Sequence, residues 1–105
     1  MITAGEGKYM VWLKRQDLDR GLVLMLGGGE RSHIGGAAYV TSEGEEDTMA
    51  MDGHRDLEVL LPLARAACGK YNVPVLATGG VHVENATEEE IRILVNNCRE
   101  LIKCI

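Results

Sequence analysis

The chain has 105 residues, 46 % of them apolar, which predicts one globular domain over residues 1–105 with one mainly aliphatic core. Its formal net charge of −5, with no basic run longer than Lys14-Arg15, argues against nucleic acid as the main partner. No stretch has the pattern of a membrane span or a secretion signal, and three cysteines without a CxxC pair do not predict a disulfide framework, so we expect a cytoplasmic protein.

The first half of the chain predicts four strands. Residues 8–15, KYMVWLKR, alternate in the way typical of a strand, and residues 21–26, GLVLML, form an unbroken apolar run that fits a strand covered on both faces. Residues 37–42, AAYVTS, and 48–51, TMAM, supply two more strands. Because the links between them are too short for a crossover helix, we expect an antiparallel meander.

The second half predicts a helix, a strand and a helix. After Gly53 the apolar residues recur at helical spacing over most of the circumference, until Pro74 ends the helix. Residues 73–83, VPVLATGGVHV, form another buried strand, and Thr87 with Glu90 makes a capping box that opens the last helix. The order β-β-β-β-α-β-α predicts an α+β fold, a mostly antiparallel sheet with two helices packed on it. A helix that is apolar almost all round predicts self-association, most commonly as a symmetric homodimer.

The stretch GGGERSHIGG, residues 27–36, is the most unusual part of the sequence. It lacks the GxxxxGK spacing of a P-loop, and Ser32 stands where a dinucleotide fingerprint needs its third glycine. Two interpretations remain open: an anion-binding nest with Arg31, Ser32 and His33 as added donors, or a mobile connection between strands.

The three histidines lie beside glycines in SHIGG (His33), GHRD (His54) and GGVHVEN (His82). No HxH, HExxH or His/Cys cluster indicates a metal site, and we assign no metal ligand and no catalytic residue. Asp52, His54 and Asp56 bracket the start of the first helix and could form an acid–base pair. We favour the simpler interpretation, in which Asp56 is a carboxylate at the helix start that stabilises the first turn.

Taken in order, GGGERSHIGG, GHRD and ATGGVHVENATEEEI resemble the prenylated-flavin chaperones, the small accessory subunits of UbiD-type non-oxidative decarboxylases, which share a proteasome-assembly-chaperone-like domain. The resemblance runs from Gly21 to Ile102. It implies a non-enzymatic protein that catalyses no reaction of its own. Such a protein would bind prenylated FMN transiently for a client decarboxylase. The binding residues it implies include Gly28, Gly29, His33, Gly35, His54, Gly80 and His82. On chemical grounds, the phosphate would lie on the amides of the glycine turn, and Arg31 and Arg55 would add charged donors.

Two other functions stay open on the residues alone. One is a small enzyme that acts on a phosphorylated or carboxylated metabolite, with His54 and an aspartate as an acid–base pair. The other is an interaction module in which the glycines and histidines only shape turns. Whether the three histidines lie in one pocket decides whether a composite binding site exists at all.

Overall fold

The computed structural model describes residues 1–105, and the chain folds into six strands and two α-helices. The sequence did not predict the first strand. A short 3-10 turn, Gly7–Tyr9, follows it. The elements are β1 Ile2–Ala4, β2 Val11–Leu18, β3 Gly21–Gly28, β4 Arg31–Val40, β5 Glu46–Ala50, α1 Leu57–Tyr71, β6 Val75–His82 and α2 Glu88–Lys103.

The six strands form one mixed sheet in the order β1-β2-β3-β6-β4-β5. Four of the neighbouring pairs are antiparallel, and β3 runs parallel to β6. The predicted α+β class with two helices is therefore confirmed. The predicted antiparallel meander is wrong, because β6 inserts between β3 and β4.

The short link between β3 and β4 does not make a hairpin, because it crosses over the end of β6. Gly29 N donates to Met10 O at 2.9 Å, and Glu30 N donates to His82 O at 2.7 Å. A side chain at Gly29, where φ is +71°, would overlap the His82 carbonyl group. Part of the glycine-rich stretch is thus explained by the close approach of two backbones.

Both helices pack on one face of the sheet, where the aliphatic residues of β2, β3, β4 and β6 point. The largest fully buried side chains join these layers: Leu24, Leu60, Leu63, Leu101, Val11, Val75 and Cys98. On the opposite face the alternate residues stay uncovered, among them Met25, 44 % exposed, and Leu76, 38 % exposed. Neither helix is long and apolar enough to cross a membrane.

The predicted capping box at the start of α2 is confirmed. Glu90 N donates to Thr87 Oγ1 at 3.1 Å, and Thr87 N donates to a carboxylate oxygen of Glu90 at 3.0 Å. Helix α1 ends at Tyr71. The next residue, Asn72, adopts the left-handed conformation two residues before Pro74. Pro62 lies inside α1, in its second turn.

Candidate functional site

A bulge in β4 places His33 at the start of α1. Ser32 pairs with Val81 and Gly36 pairs with Gly79, so three residues of β4 lie opposite one residue of β6. Such a bulge bends the strand and turns a side chain out of the regular alternation. Here it brings the His33 ring to Asp56, the residue that precedes α1.

Asp56 joins β4, β6 and α1. Its Oδ1 accepts a hydrogen bond from Val81 N at 3.0 Å, and its Oδ2 lies 3.2 Å from His33 Nε2. The side chain is only 8 % exposed and makes no hydrogen bond to an amide of its own helix. The expectation that this carboxylate serves the first turn of its helix is therefore wrong, because the carboxylate is used between the strands.

Gly35 and Gly80 leave the space that this pair of side chains occupies. A Cβ at Gly35 would overlap Asp56 Oδ2, and a Cβ at Gly80 would come within 2.9 Å of both Asp56 Cγ and His33 Cε1. Two of the predicted binding glycines thus have a packing role. They allow the carboxylate and the imidazole to lie directly against the strands.

The other two histidines converge on His33. The His54 ring centroid lies 4.9 Å from that of His33, and the His82 centroid lies 6.1 Å from it. His54 Nδ1 lies 3.0 Å from the backbone oxygen of Asp52 rather than from a carboxylate. The acid–base pair considered from sequence, His54 with an aspartate, is therefore not formed, since the aspartate at this site faces His33.

The His33 ring is incompletely paired. Neither of its ring nitrogens contacts solvent or makes a hydrogen bond of good geometry, although Nε2 is within ion-pair distance of Asp56. The contact between Nε2 and Oδ2 is therefore an electrostatic one that is poorly aligned for a hydrogen bond. Buried polar atoms without partners are rare in folded proteins and often mark functional sites.

Two of the residues predicted to bind the ligand are arginines. Arg31 is exposed, lies opposite His82 in the strand register and makes no ion pair. Arg55 contacts Glu58 at 3.3 Å. His82 lies 3.0 Å from Glu84, and this hydrogen bond lowers the pKa of the Glu84 carboxyl, with a smaller contribution from Arg31.

The amides of the glycine turn are already used within the protein. Gly28 N donates to Ser32 Oγ at 3.1 Å, and the next two amides donate to Met10 and His82 carbonyls. Gly28 and Gly29 therefore present no free amide nest for a phosphate. An anion at this site would be held by side chains instead.

A cavity of about 270 Å³ opens beside the histidines, between α1, β6 and α2. The histidines, Arg55, Asp56 and Glu58 line its polar part. Its remaining wall is mainly apolar: Val59, Val81, Val83, Ala86, Ile91, Leu94, Val95 and Cys98. Burial, and to a lesser extent Asp56, raises the pKa of the Cys98 thiol to about 12, so the thiol stays neutral.

Sequence reasoning missed this apolar wall and the role of Asp56. The wall residues were visible as the apolar face of α2, but that face was read as core only. The imidazoles and nearby carboxylates do not form a cluster of three or more that could hold a metal ion.

A family described as the prenylated flavin chaperone LpdD-like domain matches residues 5–105. This range includes all three histidine motifs and both helices. The resemblance drawn from the short motifs is thereby confirmed. A search of curated proteins gave no match.

Proposed function

This chain belongs to the prenylated flavin chaperone LpdD-like family, and we propose that it is a non-enzymatic chaperone that binds prenylated FMN transiently and delivers it to a UbiD-type decarboxylase in the cytoplasm. The observation that carries this proposal is the convergence of His33, His54 and His82 at the mouth of a cavity with an apolar wall. A flavin ligand has both kinds of chemistry, a polar ring edge with a phosphate and a hydrocarbon part.

The donor set fits the polar part of such a ligand. Imidazole and guanidinium groups donate hydrogen bonds to phosphate and ring oxygens, and Arg31 is exposed at the strand position opposite His82. His54, in the loop before α1, and His82, at the end of β6, come from separate segments. A ligand held by side chains at such an open mouth can be released to a client.

An acid–base enzyme is the less well supported function. Two histidine–carboxylate pairs are present: His82 with Glu84, at 3.0 Å and exposed, and the more buried pair of His33 with Asp56, at 3.2 Å. Because both ring nitrogens of His33 are out of contact with solvent, they are badly placed to exchange a proton with a substrate. We therefore assign this pair a role in holding the site together.

The protein is further proposed to work as a homodimer that packs through the uncovered sheet face. Lys14 at the β2 side and Asp47 at the β5 side of this face lie on opposite flanks of the exposed Met25, Leu76 and Tyr39. A twofold axis parallel to the strands would place the basic flank of one copy over the acidic flank of the other. The face would then bury its apolar residues and pair its charges.

The dimer is tested by light scattering with Leu76→Lys, which puts a charge at the centre of this face. We expect a monomer of unchanged helix content. The control is Asn96→Lys, which adds the same charge at an exposed position of α2, away from this face, and should stay dimeric. A monomeric wild type, or a dimer that Leu76→Lys leaves intact, would contradict the proposed interface.

The chaperone function is tested by titrating prenylated FMN into the protein and then adding the apo-decarboxylase. We expect saturable binding and an increase in cofactor occupancy of the client. His54→Ala and Arg31→Ala should weaken binding by roughly tenfold each, the loss of one hydrogen bond to a charged group. Lys103→Ala, an exposed residue at the end of α2 that does not line the cavity, is the control. Unchanged affinity in both site variants would overturn the assignment.

A further inference from the structure

We propose that the apolar wall of this cavity is a hydrocarbon subsite that takes the prenyl-derived part of the ligand and so distinguishes prenylated from unmodified FMN. The inference rests on the proposed function but concerns a separate set of residues. None of them belongs to the histidine and arginine group.

The wall is built mainly by one face of α2. Ile91, Leu94, Val95 and Cys98 follow the i, i+3, i+4, i+7 spacing that places side chains on one side of a helix. Val59 of α1, Val81 of β6, and Val83 and Ala86 in the link before α2 complete it. Because several of these residues are only half-buried, the face is not fully used by the core and is available to a ligand.

This end of the cavity does not suit an anion. The first turn of α2 carries Glu88, Glu89 and Glu90, and the Thr87 hydroxyl already accepts from the Glu90 amide. Cys98 presents a neutral thiol at the base of the wall. The phosphate of a flavin would therefore stay near Arg31 and His82, while the apolar end favours hydrocarbon.

The size of the cavity also fits a part of the ligand. At about 270 Å³ it is below the range of roughly 300–1,000 Å³ that encloses whole drug-sized ligands. A branched five-carbon group fits such a space, whereas an entire flavin mononucleotide would extend out of it. Burial of that group should raise the affinity by about 10- to 100-fold over FMN.

The test compares four probes by calorimetry: prenylated FMN, FMN, dimethylallyl monophosphate and inorganic phosphate. We expect prenylated FMN to bind at least about tenfold more tightly than FMN, and dimethylallyl monophosphate more tightly than inorganic phosphate. Equal affinities within both pairs would overturn the hydrocarbon subsite while leaving flavin binding intact. Binding of dimethylallyl monophosphate without any flavin binding would support the subsite and contradict the proposed function.

Variants then locate the subsite. Val95→Phe and Ala86→Leu fill the wall and should bring the affinity ratio of prenylated FMN to FMN close to one, with FMN binding retained. Ile93→Phe, on the same helix but outside the cavity, is the matched control and should keep the wild-type ratio. Circular dichroism and thermal melting show which variants are folded. Two wall variants are used so that the test still stands if one of them does not fold. A folded wall variant that keeps the full ratio would overturn the assignment, as would the absence of binding by all four probes.

Discussion

The two helices of this protein begin in different ways. At α2, Thr87 and Glu90 exchange hydrogen bonds within the first turn, as the local sequence dictates. At α1, the carboxylate of Asp56 leaves its own helix uncapped, accepts from Val81 N and faces His33. Asp56 does not cap α1 because its carboxylate binds β6 and His33 instead. This departure from the local rule marks the candidate functional site.

The surroundings of the two helix starts differ in the same sense. Around α2, Tyr9 donates to Glu90 at 2.8 Å, Lys8 lies 3.0 Å from the same carboxylate, and Asn97 donates to Tyr9 O. Around α1, the ring nitrogens of His33 lack hydrogen bonds. These polar groups at the start of α2 all have partners. At the start of α1, the ring nitrogens of His33 lack hydrogen bonds and lie beside the cavity.

The largest expected effect comes from filling the space at the α1 start. Gly35→Ala would force the new methyl group into Asp56 Oδ2 and should reduce the free energy of unfolding by about 3 kcal/mol, as overpacking does. Urea unfolding measures this loss. The matched control is Gly69→Ala inside α1, where nothing lies near the added methyl group and about 0.5–1 kcal/mol of stabilisation is expected. Equal effects at the two glycines would contradict the packing role of Gly35.

The next effect concerns the Asp56 carboxylate itself. Asp56→Ala leaves the Val81 amide without its acceptor and should cost about 2 kcal/mol, whereas Asp56→Asn keeps an acceptor oxygen and should cost less. Both variants remove the negative charge beside His33, so both should change its ring nitrogen shifts. Nitrogen-15 NMR of the imidazole checks this. Unchanged shifts in both variants would show that the pair is not electrostatically coupled.

The sequence predicted the elements that depend on local rules. Thr87 and Glu90 identified the start of α2, and the apolar run from Val75 identified a buried strand. It did not predict the position of β6 in the sheet, because pairing between strands far apart in the chain leaves no local pattern. The glycine-rich link between the predicted strands 21–26 and 37–42 suggested that these strands pair directly, and only the insertion of β6 between them excludes it.

The sequence predicted which histidines belong to the candidate site, but it did not predict the contacts that they make. The three histidines were recognised from their glycine neighbours and do converge. The partner of His33 could not be found, because the bulge that brings it to Asp56 depends on pairing with β6. The glycine turn looked like an anion nest only while the acceptors of its amides, Met10 O before β2, Ser32 Oγ in β4 and His82 O in β6, were unknown.

A smaller effect is expected at the cap of α2. Thr87→Ala removes the hydroxyl acceptor and should cost about 1 kcal/mol, while Thr87→Ser keeps it and should cost less. Neither variant should change the affinity for prenylated FMN by more than about twofold, because this residue does not line the cavity. A large loss of affinity at unchanged stability would assign Thr87 to the site.

The smallest effect is a pH dependence that belongs to the same network. The Thr87 backbone amide, then Tyr9 and Lys8, lower the pKa of Glu90 to about 2. In the unfolded chain this carboxyl takes up its proton near pH 4.5, so between these values the unfolded state binds more protons and stability falls as the pH falls. Glu90→Gln should flatten the decrease in melting temperature between pH 4.5 and 2. Glu89→Gln, the neighbouring residue that pairs with exposed Arg92, should leave it in place. If the decrease persists in Glu90→Gln, the acid sensitivity lies at other carboxyl groups whose pKa is lowered, such as Asp17 beside Arg15 and Glu46 beside Arg65, and the α2 start is not its source.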